Sequence, residues 1–151
     1  MEKQMSVLGV GHKAGAAVGA YLAVTIAISY LFAPSFRITE AYAALLRAGV
    51  ALIIAGFSLN LVAALQMLAA HKRDRLVTTG MYHLFLHPMY FFMLFITLPG
   101  VALLFNSYLV LTVVPVSILV VRRLVREENE YLERRYGNAY REYRKTVMIP
   151  F

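Results

Sequence analysis

One carboxylate near the end of this chain points the wrong way. Arg122 to Lys145 is a polar run that follows a long apolar stretch. If it continues as a helix of about 100° per residue, the neighbours of Glu128 at i−4, i−3 and i+4 are Leu124, Val125 and Leu132. The Glu128 carboxylate then lies in the middle of the apolar stripe. Glu130 and Glu133 fall on the opposite face and Glu127 on the flank, where water satisfies them. Burying a carboxylate without a cation or strong donors is costly. An internal pair with Arg135 or Arg75 is the structural explanation, and a bound positive group is the functional one. The same run carries Tyr131, Tyr136, Tyr140 and Tyr143, more aromatic surface than a solubilising tail needs.

A second group of chemically capable residues lies in LVTTGMYHLFLHPMY, Leu76 to Tyr90. Gly80 suits a turn, and Pro88 suits the first turn of a helix, where a missing N–H does no harm. His83 and His87 are four residues apart, a spacing that can chelate a metal on a helix. The chain has only four histidines and no cysteine, and no third ligand accompanies the pair, so no metal site is expected. Gly9, Gly11 and Ala14 mimic a dinucleotide-binding fingerprint, but no strand precedes them and no acidic residue follows at the required distance. Gly11, Gly15 and Gly19 read instead as a helix-packing face.

The elements that hold these groups are apolar. A chain of 151 residues, 60% hydrophobic and 15% charged, has the composition of an integral membrane protein with one domain. Four apolar runs cover about 14–32, 43–70, 89–105 and 108–121. The first two reach the roughly 20 residues that a hydrocarbon core demands, and the first is too long for the apolar part of a signal peptide. The last two are joined by Asn106 and Ser107 alone, which predicts a tight helical hairpin whose second arm runs on into the polar helix at Arg122. The expected fold is therefore all-α, with about four transmembrane helices and a C-terminal helical tail over 122–151. Thirteen Lys and Arg residues flank one side of these runs and two, Arg37 and Arg47, the other, which places both termini and the 71–88 loop in the cytoplasm. The last two runs hold no ionisable side chain other than tyrosine, so chemistry is expected where loop and tail meet at the cytoplasmic interface.

Loop and tail together resemble the isoprenylcysteine carboxyl methyltransferase and phospholipid methyltransferase superfamily of membrane enzymes. Gly80, Tyr82, His87, Pro88 and Tyr90 match a first block of the form G-x-Y, spacer, R-H-P-x-Y-x-G. Glu128, Leu132, Tyr136, Gly137, Tyr140, Tyr143, Val147 and Pro150 match a second block of the form E-E-x-x-L-x-x-x-F-G-x-x-Y-x-x-Y, then V and P. Leu86 stands where the family has arginine, Phe92 where it has glycine, and the acidic pair falls on Glu128 and Asn129.

The resemblance implies methyl transfer from S-adenosylmethionine (SAM) to a lipophilic acceptor, a lipidated carboxylate first and a phospholipid amine or thiol next. It implies cofactor contacts from Gly80, Tyr82, His87, Pro88, Tyr90, Glu127, Glu128, Tyr136 and Tyr143, and points to Arg135, Tyr140 and Arg144 for the transfer step. The partners it implies are a lipophilic or lipidated acceptor arriving from the bilayer and the membrane lipids themselves, with no nucleic acid. A non-catalytic reading competes: a membrane module whose basic tail binds anionic lipid or a protein, each cation adding about 1 kcal/mol near an anionic surface. The charge distribution predicts that a cysteine introduced at position 35 is labelled only from outside the cell and one at position 138 only from the cytoplasm. The reverse pattern refutes this topology.

Overall fold

The computed structural model of this chain describes residues 11–150, with side chains from residue 15 onward. Lys3, Gly9 and Phe151 lie outside the described residues, as do the side chains of Lys13 and Ala14. Helix α1 spans Gly11–Leu31 and the short α2 spans Ala33–Phe36. Helix α3 runs over Tyr42–His71, followed by one turn, α4, at Met81–Leu84. Helices α5 (Pro88–Phe92) and α6 (Leu98–Leu104) are two parts of one rod, joined by a π-helical turn at Met93–Thr97. Helices α7 (Tyr108–Leu111) and α8 (Val113–Tyr136) are nearly continuous, and α9 covers Asn138–Thr146.

Two helical rods, Tyr42–His71 and Tyr108–Tyr136, are long and apolar enough to cross a membrane, and two shorter apolar helices, Gly15–Leu31 and Pro88–Leu104, pack with them. On α3 the residues Ile54, Phe57, Leu61 and Leu65 are 62%, 64%, 60% and 57% exposed. Their spacing puts them on one helical face. A continuous apolar stripe this open to its surroundings is the signature of contact with lipid, not water.

The π turn has a local cause. Pro99 has no N–H and cannot continue the regular ladder, so the turn before it widens. The rod packs closely on α3. A Cβ on Gly49 would come within 2.8 Å of the Gly100 carbonyl oxygen and 2.9 Å of the Leu104 nitrogen, and one on Gly56 would collide with the Thr97 hydroxyl. Here glycine serves backbone approach, as expected for helices that lack a hydrophobic drive to associate within lipid. The packing face expected on α1 is not of this kind. Gly15 and Gly19 are exposed with nothing within 4 Å of a built Cβ, and α1 instead buries Val18, Thr25 and Ser29.

The predicted hairpin turn is present at Phe105 to Ser107, with Asn106 in the left-handed region at φ 48°. It meets the 32–41 segment at one end of the bundle. The Asn106 side chain accepts from the Thr39 N–H at 3.1 Å and donates to the Thr39 carbonyl at 2.8 Å, and the Ser29 and Ser107 hydroxyls bond at 2.7 Å. The 72–87 loop, the polar half of α8 and α9 gather at the opposite end.

Gly49→Ala is expected to lower the thermal stability of detergent-solubilised protein by about 1–3 kcal/mol, the usual cost of overpacking, because the obstructing atoms are backbone. Gly19→Ala, with open space around it, should leave the melting temperature unchanged.

Candidate functional site

Helix α8 ends because Gly137 adopts φ 52° and ψ −124°, a conformation costly for residues with a Cβ. The turn sends α9 back alongside α8, where Arg141 pairs with Glu133 at 2.6 Å. Tyr140 and Tyr143 are thereby buried against Ala63 of α3 and Tyr82 and Leu86 of the loop. The Tyr143 hydroxyl donates to the Tyr82 carbonyl at 2.7 Å. Beyond α9 the chain makes a parallel bridge between Ile149 and Phe85, the Ile149 N–H donating to Leu84 at 2.9 Å and the Leu86 N–H to Ile149 at 3.0 Å. Tail and loop are one folded unit.

This unit encloses a cavity of about 370 Å³, within the roughly 300–1,000 Å³ range of small-molecule sites. Its walls are mainly apolar, with Met67, Leu76, Val77, Met89, Met93 and Leu132 among them. Polar atoms enter from few directions. The polar residues in the lining are Glu128 from α8, His87 from the loop, Tyr82, Tyr90, Tyr140 and Tyr143, and Asn60 from α3. No lysine or arginine lines the cavity among the described residues.

The wall is a hydrogen-bonded set. The Tyr90 hydroxyl donates to Glu128 Oε2 at 2.9 Å. Asn129 Oδ1 lies 2.7 Å from both His87 Nε2 and the Tyr140 hydroxyl. His87 Nδ1 stands 4.0 Å from Glu128 Oε1, the two side chains being 5% and 21% exposed. Burial holds the His87 imidazole below its ordinary pKa, against the opposing pull of the Glu128 carboxylate and the Asn129 bond. Burial also raises the phenols: Tyr140 is pushed up to about 12, and Tyr82 and Tyr143 are likewise raised. All three are neutral donors at physiological pH.

The structural explanation of Glu128 by an arginine partner is not the one the molecule uses. Arg135 bonds Asp74 at 2.5 Å and the Tyr131 hydroxyl at 2.9 Å, facing outward, and Glu128 takes its bond from Tyr90 instead. Among the residues singled out from the sequence, Tyr82, His87, Pro88, Tyr90, Glu128, Tyr140 and Tyr143 line the cavity. Gly80, Glu127, Tyr136, Arg135 and Arg144 do not. Gly80 takes φ 66° directly beneath Gln66, whose side-chain oxygen accepts from the Met81 N–H at 2.9 Å. Glu127 is exposed, and Tyr136 packs behind the tail with Arg135 5.5 Å over its ring. Arg144 is exposed and lies 6.0 Å from the Tyr140 ring centre.

A family model described as phospholipid methyltransferase matches residues 43–139, well over half of the chain. The chain belongs to the phospholipid methyltransferase family. No curated protein and no solved structure matches it. The family match runs from the start of α3 through the Gly137 turn, so it includes Tyr82, His87, Tyr90 and Glu128. Tyr140 and Tyr143 lie beyond it; they were expected at the site from the second sequence block, and the fold places both in the cavity lining.

Asn129 and Asn60 were not among the expected site residues. Asn129 had a sequence signal, since it stands in register with the second acidic position of the family block. Asn60 had a weaker one, as a rare polar residue inside a long apolar helix. Tyr143→Phe removes the donor to a buried carbonyl and should cost about 1–3 kcal/mol. Hydrogen exchange read over 138–150 is expected to speed up while α3 stays protected; unchanged exchange there would show that the tail docks without this bond.

Proposed function

We propose that this chain is a SAM-dependent methyltransferase whose acceptor is a lipid amine, working at the cytoplasmic ends of four membrane-crossing helices. The observation that carries the reading is the cavity wall: one carboxylate, neutral phenols and an imidazole in an otherwise apolar chamber, with no lining cation. SAM supplies a methyl group made electrophilic by a sulfonium, and it also carries an ammonium. The donor set fits such a cation-bearing group. Glu128 offers a charge-assisted contact, held in place by Tyr90, and the tyrosine rings offer π faces to a positive centre. His87 and the backbone of 80–90 flank the same space.

The lining also bears on the acceptor. A lipidated carboxylate, the first choice suggested by the superfamily resemblance, would enter a chamber that already holds a carboxylate and lacks a lining arginine. Leu86, 4% exposed, fills the wall where the family motif places that arginine. An amine suits this wall better, in keeping with the phospholipid methyltransferase family match. The work of the protein is positioning and water exclusion: Tyr140 and Tyr143 close the chamber on one side, Met89 and Met93 on the membrane side, so that the two reactants meet in line in a dry space.

The four-span topology is supported by two independent features. The apolar stripe on α3 needs lipid around it. Tyr30, Phe32, Tyr42, Phe105 and Tyr108 cluster with large exposure at the end opposite the site, as an interfacial aromatic belt does, while the arginines gather at the site end. Arg135 and Arg144 stand outside the cavity among these cations, where they attract anionic headgroups.

Glu128→Gln is expected to weaken SAM binding by roughly 10- to 150-fold, the loss of one charge-assisted contact worth about 1.5–3 kcal/mol. Glu130→Gln should bind normally. Calorimetric titration of purified protein, paired with a melting curve without cofactor, decides it. A folded Glu128→Gln protein with normal affinity, or one that loses affinity only by melting, refutes the assignment.

A further inference from the structure

An amine acceptor raises a problem of its own, because at neutral pH it is an ammonium and its nitrogen has no lone pair to attack with. The cavity wall holds a group placed to remove that proton. Asn129 Oδ1 lies 2.7 Å from His87 Nε2 and also accepts from the Tyr140 hydroxyl at 2.7 Å. An amide oxygen has no proton to give, so the bond pattern assigns the proton of a neutral imidazole to Nε2 and leaves Nδ1 as a bare acceptor. Nδ1 is the nitrogen on the Glu128 side, 4.0 Å from Oε1, too far to be spent on a hydrogen bond with it. Both residues line the cavity.

We propose that His87 accepts, at Nδ1, a proton from the ammonium of the incoming lipid amine, and that Asn129 is the positioning residue that turns this nitrogen to the cavity. The inference rests on the amine-methylating reading above. In the step one N–H bond of the ammonium breaks and leaves its electron pair on the amine nitrogen, while an N–H bond forms at Nδ1. The positive charge moves to the imidazole, 4.0 Å from the Glu128 carboxylate. Release of that proton to water resets the site.

The surroundings of His87 fit this cycle. Glu128 from α8 favours the imidazolium, and Arg144 from α9 opposes it. The Tyr90 ring, centred 5.8 Å away, and the phenols of Tyr82, Tyr140 and Tyr143 carry no charge at neutral pH. From α3 only Asn60 and Met67 reach the lining, neither of them titratable. Burial keeps His87 unprotonated at rest. In water the transfer is uphill by about four pKa units. The water-poor chamber disfavours the charged form of both partners, and the Glu128 carboxylate beside His87 favours the charge once it sits on the imidazole.

Nitrogen-15 NMR of histidine-labelled full chain in detergent, without cofactor, reads the tautomer directly, with His87→Gln assigning the signal. The expected result at pH 7 is a neutral ring with Nε2 protonated; a ring protonated at Nδ1, or an imidazolium, overturns the proposal. Asn129→Asp keeps an acceptor for Nε2–H and adds charge that favours the imidazolium, so the acidic limb of the methylation rate with phosphatidylethanolamine should move to higher pH. An unmoved limb counts against His87. His87→Gln should lower that rate, measured at saturating SAM, by about 100-fold or more, the usual contribution of a general base. Wild-type protein that binds no SAM, or methylates no amine, overturns the proposed function and this step with it. Wild-type protein that methylates an amine but carries its proton on Nδ1 overturns this step alone.

Discussion

The site depends on the reversal of the chain at Gly137. Helix α8 leaves the bundle with an apolar stripe on one side and charge on the other, and nothing in its own sequence would close a chamber. One residue at φ 52° turns α9 back, and Tyr140 and Tyr143 then become cavity wall while Val147 packs behind them. A side chain at position 137 would strain the turn, and a straight continuation would carry the tyrosines away from the loop they bury. Backbone geometry at a single position thus converts a solvated helical tail into part of a core.

The chamber so formed is chemically one-sided. Its carboxylate stands among methionines, leucines and phenols, where screening by water is weak and interaction with a positive group is correspondingly strong. Arg135, Arg141 and Arg144 remain outside, tied to Asp74 and Glu133 or placed over tyrosine rings. This segregation separates two kinds of surface that the sequence mixes along one helix: a cationic exterior, and a chamber whose one lining charge is negative.

Much of this was legible in the residue order. Glu128 was picked out because Leu124, Val125 and Leu132 surround it on a helical wheel, and helical periodicity alone sufficed for that. The hairpin at Asn106 and Ser107 followed from the shortness of the polar gap, whereas the reversal at Gly137, a residue matched only as part of the family block, went unread. Other features were not legible, for physical reasons. Gly15 and Gly19 have the spacing of a packing face, yet spacing does not say which neighbour approaches, and the close contacts fell to Gly49, Gly56 and Gly100 instead. The bond from Asn129 to His87 joins residues far apart in sequence, and only the docking of loop on tail brings them together. The outward turn of Arg135 was likewise invisible, because a long flexible side chain chooses among several acidic partners by tertiary distance.

The bridge between Phe85 and Ile149 gives the protein a particular order of birth. The loop that carries His87 emerges during synthesis well before residue 149, and the two segments cannot meet until the helices between them have been made. Until then Leu86 and Tyr82 lack their covering tail, and the chamber is an open groove. Assembly of the site is therefore a late event, and a nascent chain that has made every helix up to α8 still has no enclosed chamber.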